Sequence, residues 1–186
     1  MATNLYLVRH AHSTYSIDEL NRPLSERGLA DAQRVISLLL HENINTLISS
    51  PYKRAIQTIQ GLAVPLNLDI VIEGDFKERM LSGEPVSNFD MAIKRVWEDF
   101  SFAWAGGESS LFAQNRGFRA LCKVLKQYEG CNVVIGTHGN IMVLIMNALD
   151  QRYDYSFWKQ LDMPDIYKLS FDEDHLIGVQ RIWSRR

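Results

Sequence analysis

Arg9 and His10 stand side by side where the apolar run Leu5 to Val8 ends. A second apolar run, Cys131 to Thr137, stops in the same way at His138-Gly139-Asn140. A neutral imidazole can attack phosphorus, and a guanidinium grips phosphate oxygens through paired N–H donors. Arg54 falls in the first turn of a helix-like stretch that follows a third apolar run, Thr46 to Ser49. Two histidines and two arginines at strand ends and helix starts are what a covalent phosphoryl-transfer site needs. Singly, each reads as a satisfied polar residue, a surface charge or a turn; their joint occurrence in order is the signal.

Two imidazoles share a rim only if the strands that end in them are parallel. Strand-like and helix-like segments alternate along the chain. This pattern predicts an α/β fold, a three-layer sandwich with a mostly parallel central sheet flanked by helices. Such sheets bind ligands at the carboxyl ends of their strands. Pro23-Leu24-Ser25 leads into a helix with Leu29, Ala32, Val35, Ile36, Leu39 and Leu40 on one face and Ser25 as N-cap. Pro51 is expected at the first position of the Arg54 helix, which ends near Pro65. Leu68 to Ile72 reads as a strand, Phe89 to Asp99 as a helix, and Ser110 to Tyr128 as a longer helix stopped by Gly130. An apolar helix follows at Ile141 to Leu149, its free N-terminal N–H groups suited to phosphate and Gly139 allowing close approach of a bound group. Ile166 to Phe171 and Ile177 to Trp183, around Asp172-Glu173-Asp174, read as a closing hairpin. Residues 1–186 read as one domain, with an aromatic cap-like segment at about 73–107.

An apolar share of 46% with 23% charged residues is ordinary for a soluble globular chain. A net charge of −2 gives no electrostatic reason to expect nucleic acid or an anionic membrane as partner. No run approaches the roughly 18 apolar residues of a membrane span, and Met1-Ala2-Thr3-Asn4 lacks the pattern of a signal peptide. Cys122 and Cys131 read as core or near-core residues of a reducing compartment, so the expected location is cytoplasmic. Arg181, Arg185 and Arg186 read as a solvated tail, and the apolar faces allow a monomer or a homodimer.

Leu7-Val8-Arg9-His10-Ala11-His12-Ser13 resembles the arginine–histidine–glycine opening motif of the histidine phosphatase superfamily, the phosphoglycerate mutase-like proteins. Pro23-Leu24-Ser25-Glu26-Arg27-Gly28 is similar to the family's next element, and Ser49 to Thr58 to its serine–proline and arginine–alanine–glutamine–threonine motif. Phe76-Lys77-Glu78-Arg79, Gly106-Gly107-Glu108-Ser109 and Gly136-Thr137-His138-Gly139 complete the ordered set. The resemblance implies that His10 is the nucleophile and that Arg9 and Arg54 hold the phosphoryl oxygens. It makes His138 a further donor to those oxygens. Glu78 is implied as general acid for the leaving alkoxide and then as base for water. It implies no cofactor and no metal, because arginine and imidazole supply the positive charge. Ala11 stands where the family carries glycine, and Ser16 where mutase members often carry asparagine. Ser13 either donates to phosphate or caps its turn, and His12 either touches substrate or sits on the rim.

Three activities fit these residues. The first is a phosphatase for a small phosphorylated metabolite. The second is a phosphoglycerate mutase, whose members are usually longer than this chain in the segments that shield the phosphoenzyme. The third is a protein phosphohistidine phosphatase, whose phosphoramidate needs less acid help than an ester, so Glu78 favours the first. An apolar roof from Phe89 to Trp104, joined by Tyr15, would favour hydrophobic alcohols over sugars carrying several charges.

Overall fold

The computed structural model describes residues 2–184. The elements run β1 (Thr3–Arg9), α1 (Glu26–Leu39), β2 (Thr46–Ser49), α2 (Lys53–Ile59), α3 (Ala63–Leu66), β3 (Ile70–Ile72) and α4 (Phe89–Glu98). They continue with α5 (Ser110–Gln127), β4 (Asn132–Thr137), α6 (Gly139–Leu149), α7 (Tyr155–Lys159), β5 (Asp165–Asp172) and β6 (His175–Arg181). The strands form one sheet in the order β3-β2-β4-β1-β5-β6. β1 pairs in parallel with β4, which pairs in parallel with β2, and β2 with β3. β5 is antiparallel to both its neighbours. The sheet is therefore mixed but mostly parallel, as expected.

The central position of β1 follows from its sequence. Leu5 to Val8 are all fully buried, which happens only when both faces of a strand are covered. Strand alternation sends Leu5 and Leu7 into the core with α4, α5 and α6, and Tyr6 and Val8 into the core with α1 and α2. Residues Gly139 to Met146 of α6 are buried on every side, so that helix has no solvent face at its start.

Several boundaries differ from expectation. Pro51 lies before Tyr52, the N-cap of α2, because Ser50 turns there to meet a buried histidine. The helical region ends near Pro65 as expected, at Leu66, but it is broken after Ile59, and Pro65 sits in the first turn of α3, where its missing N–H removes no helix hydrogen bond. β3 is only Ile70–Ile72, with Val71 and Ile72 half-exposed at the sheet edge. Cys122 is exposed rather than near-core. Arg181 is no tail residue: it pairs with the buried Asp162 and Asp165, while Arg185 and Arg186 lie outside the described residues. No helix among the described residues is long and apolar enough to cross a membrane.

Leu29 is 46% exposed, although periodicity places it on the buried face. The buried stripe of α1 begins instead at Gly28 and continues through Ala32, Val35, Ile36 and Leu39. Gly28 faces inward because a Cβ there would stand 1.9 Å from the His12 carbonyl oxygen. Ser25 caps the helix as expected, accepting from the Gly28 N–H at 3.1 Å. Gly28→Ala forces backbone apart from backbone, so it should destabilise by about 2 kcal/mol, a fall in melting temperature of roughly 4–8 °C for a chain of this size. An unchanged thermal melt would show that the loop after His10 is not seated on α1.

Candidate active site

β1 and β4 are in register, with Arg9 opposite Thr137, so the residues that follow them are neighbours. The His10 N–H donates to the Thr137 carbonyl at 3.0 Å, and the two imidazoles meet edge to face with centroids 5.2 Å apart. Nδ1 of His10 is 2.7 Å from the carbonyl oxygen of Ala11, an acceptor only, so Nδ1 carries the proton. Nε2 is therefore the nitrogen with a free lone pair, and the Nε–H of Arg54 points at it from 3.3 Å. The loop past His10 is tied to α2 because the Ala11 N–H donates to the Thr58 hydroxyl, which donates to the Arg54 carbonyl.

His138 is the N-cap residue of α6 and is fully buried behind His10. Its Nε2 lies 2.7 Å from the Ser50 hydroxyl, whose oxygen already accepts from the Tyr52 N–H. That hydroxyl hydrogen is best used on Nε2, which leaves Nδ1 protonated, and Nδ1 has no partner among the described residues. The Tyr52 ring covers His138 edge-on at 5.0 Å and lies 4.7 Å beneath the Arg54 guanidinium.

Arg9 is held by carbonyls of the segment between α7 and β5: Nη1 donates to Asp162 at 3.0 Å. Asp165 anchors that segment by accepting from the Asp162 N–H, and Arg181 clamps both carboxylates from β6. Gly139, on the cleft wall, also serves a neighbouring side chain. A Cβ there would lie 2.9 Å from Nε of Arg9, so the glycine makes room for the guanidinium itself.

The α6 N-terminus also departs from expectation. Its N–H groups at Asn140 and Ile141 are occupied by Glu78, whose two carboxylate oxygens accept from them at 3.1 and 3.0 Å. A carboxylate of the chain itself takes the favourable end of the helix dipole and is thereby positioned at the cleft. Arg116 secures the segment below by donating to the carbonyls of Asp75, Lys77 and Glu78, while its Nε and Nη2 grip both oxygens of Glu108.

Arg9, His10, Arg54, Glu78 and Gly139 line one cleft of about 670 Å³, a size suited to a small metabolite. His138 lies one layer beneath its surface. Ser13 is not on the wall: it is buried in an antiparallel bridge to Leu24. His12 is also off the wall, joined to the Ser25 hydroxyl at 2.8 Å. The aromatic roof is smaller than expected. Trp97 is buried against Phe100 and donates to Asn140, Tyr15 is largely exposed, and Phe89 alone of that set reaches the wall, joined by Trp158. Among the described residues no three His, Cys, Asp or Glu side chains converge as a metal site.

Burial, reinforced by the charges of Arg54 and Arg9, pushes the His10 imidazole down to about 3. His138 is also driven well below the ordinary histidine range, chiefly by burial. Both rings are neutral near pH 7. Sequence reasoning missed Glu19, Arg22, Tyr52 and Arg79, which also line the cleft. Glu19 bridges Arg54 and Arg22 at 3.0 Å each. No periodicity marks these residues; the available signals were the place of Arg79 beside Glu78 and of Tyr52 within the Ser49 to Thr58 motif.

A family model described as histidine phosphatase superfamily, branch 1, matches residues 5–181. Bifunctional protein Rv2228c of Mycobacterium tuberculosis is 27% identical over 194 residues, which cover 97% of this chain and 53% of that protein. The chain thus spans about half the length of the first curated relatives it matches. Phosphoserine phosphatase 1 of Hydrogenobacter thermophilus is 31% identical over 147 residues, covering 72% of this chain and 70% of the relative. The solved structure of mycobacterial glucosyl-3-phosphoglycerate phosphatase Rv2419c with VO3 shares the fold, with a TM-score of 0.79 at 20% identity over 96% of this chain and 97% of that one.

The neutral His10 sets a pH dependence of stability. Its folded value of about 3 lies below the ordinary 6.5, so below pH 6.5 the unfolded chain takes up a proton that the folded chain refuses. This share of stability is complete above 6.5 and is lost as the pH falls toward 3, with a slope approaching 1.4 kcal/mol per pH unit, roughly one proton. Urea unfolding between pH 4 and 6 should show a shallower slope for His10→Gln than for the parent. Parallel slopes would mean that His10 is not held neutral.

Proposed function

Because this chain belongs to the histidine phosphatase superfamily, branch 1, we propose that it is a phosphomonoesterase that hydrolyses a small phosphorylated metabolite through a phosphohistidine intermediate. The observation that carries the reading is the unprotonated Nε2 of His10, turned to the cleft between arginines. Relatives named for phosphoserine and glucosyl-3-phosphoglycerate support the substrate class.

Binding begins with an exchange of anions. The phosphoryl group replaces the Glu19 carboxylate on Nη2 of Arg54 and takes donors from Arg9. The unpartnered Nδ1–H of His138 is a further donor for it. The Nε2 lone pair attacks phosphorus as the ester P–O bond breaks, and the electron pair leaves on the alkoxide oxygen. Glu78 turns one oxygen out from the α6 N-terminus, takes up the proton that the substrate monoanion brings in and delivers it to that alkoxide. Water then gives a proton to the Glu78 carboxylate and attacks phosphorus. The P–N bond breaks, its electron pair returns to Nε2, and inorganic phosphate departs. Throughout, the Nδ1–H···O bond to Ala11 stabilises the positive charge of the phosphorylated ring. The guanidiniums balance the charge spread over the equatorial oxygens.

Hydrolysis of p-nitrophenyl phosphate should persist in EDTA, be inhibited by vanadate and fall to background in His10→Ala. Retained turnover in that variant would remove the proposal. Glu78→Gln should cost about 10²- to 10⁴-fold with alkyl phosphates and far less with p-nitrophenyl phosphate, whose leaving group departs without a proton. Equal losses on both would assign Glu78 a positioning role only. A coupled assay of 3- and 2-phosphoglycerate interconversion separates hydrolysis from mutase chemistry, with hydrolysis expected.

A further inference from the structure

Among the described residues the donors of Arg54 reach only two side-chain neighbours, His10 through Nε and Glu19 through both terminal nitrogens. Nη1 donates to the Glu19 carbonyl at 2.7 Å, and Nη2 meets a carboxylate oxygen of the same residue at 3.0 Å. The other carboxylate oxygen takes Nη1 of Arg22 at 3.0 Å. Burial disfavours the Arg54 charge, and Glu19 is the foremost group that favours it.

This counter-ion differs from the one behind the wall. The side chains of Arg54 and Arg116 are each 4% exposed, but Glu19 is 50% exposed and Glu108 only 16%. An acid that can return to water is released at little cost, whereas one enclosed with its arginine is costly to withdraw. Glu19 also lies in residues 16–22, which belong to no helix or strand. That run is held by its own turn, in which Asp18 accepts from Asn21, and by the Lys53 N–H on the Leu20 carbonyl. The carboxylate can therefore swing out while the Glu19 carbonyl keeps the guanidinium oriented.

We propose that the Glu19 carboxylate is a stand-in for phosphate that weakens the hold of the cleft on its own product. The inference rests on the phosphatase reading and concerns how that site is cleared after hydrolysis. When inorganic phosphate departs, the carboxylate returns to Nη2, so a buried cation is not left bare. An internal anion on Nη2 competes alike with substrate, product and vanadate. Its removal should tighten all three, which is a uniform gain in binding that does not raise kcat. Glu19 acts through Arg54 and is thus a positioning residue.

Glu19→Gln keeps the backbone carbonyl and the side-chain length and removes the charge. Its inhibition constant for inorganic phosphate, measured against p-nitrophenyl phosphate, should fall about fivefold, the weight of an exposed ion pair. KM should fall by a similar factor, and kcat should be no higher than in the parent. Glu19→Asp, which retains the charge, should lie nearer the parent than Glu19→Gln does. A merely structural support of Arg54 predicts the opposite sign. Weaker or unchanged inhibition by phosphate in Glu19→Gln, or a higher kcat, would overturn the proposal. Calorimetric titration of His10→Ala with inorganic phosphate, with and without Glu19→Gln, reads the same affinity without turnover: tighter binding supports the role, and equal or weaker binding overturns it. Absence of turnover in the parent removes the phosphatase reading, whereas turnover with an unchanged phosphate affinity in Glu19→Gln removes only the role of Glu19.

Discussion

A hydrogen bond from Nδ1 of His10 to the carbonyl of Ala11, 2.7 Å long, determines which nitrogen faces the cleft. If that donor were lost, Nε2 could take the proton and the lone pair would turn away from any substrate. The same bond favours the charged ring, but burial, joined by the guanidiniums of Arg54 and Arg9, outweighs it. Burial and positive neighbours therefore act together: each disfavours the imidazolium, and a neutral imidazole is the reactive form.

Around this ring the protein divides its charges by task. Glu78 is parked on the N-terminus of α6, so the helix dipole there is taken up by a carboxylate of the chain itself. Arg54 is occupied by Glu19, an exposed partner that an arriving phosphate can replace. Arg9 hangs from backbone carbonyls, with Glu78, Asp165 and Asp162 near enough to favour its charge. The acids that fully neutralise an arginine, Glu108 on Arg116 and Asp165 on Arg181, sit behind the wall as struts. Cations on the cleft side meet one exposed acid or backbone carbonyls, and those behind it meet carboxylates through two donors each.

Parts of this arrangement were legible because they follow from local chemistry. The run Leu5 to Val8, buried on both faces, required a central strand, and ending it in Arg9-His10 required a polar rim. Ser25 capped its helix as serine does before a helical stripe. Other parts were not legible, because they depend on contacts between distant segments. Leu29 lost the inner face of α1 to Gly28 only because the His12 carbonyl comes so close. Gly139 yields its space to Arg9, which lies 130 positions earlier in the chain, and Arg181 steadies Arg9 through a segment that no motif marks.

The alternation of strands and helices, the two histidines that close parallel strands and the cations beside them can all be read from residue order. Those are consequences of apolar periodicity and of residue type at strand ends, which act within a few positions. Only the packing of distant segments settles which imidazole reaches the cleft wall and which lies beneath it, and that Glu78 takes the helix end. It also settles that Arg79, unlike Arg116, keeps an open edge. Hydrogen-bond satisfaction is a property of three-dimensional neighbours, and whether a charge has a partner cannot be read until those neighbours are in place.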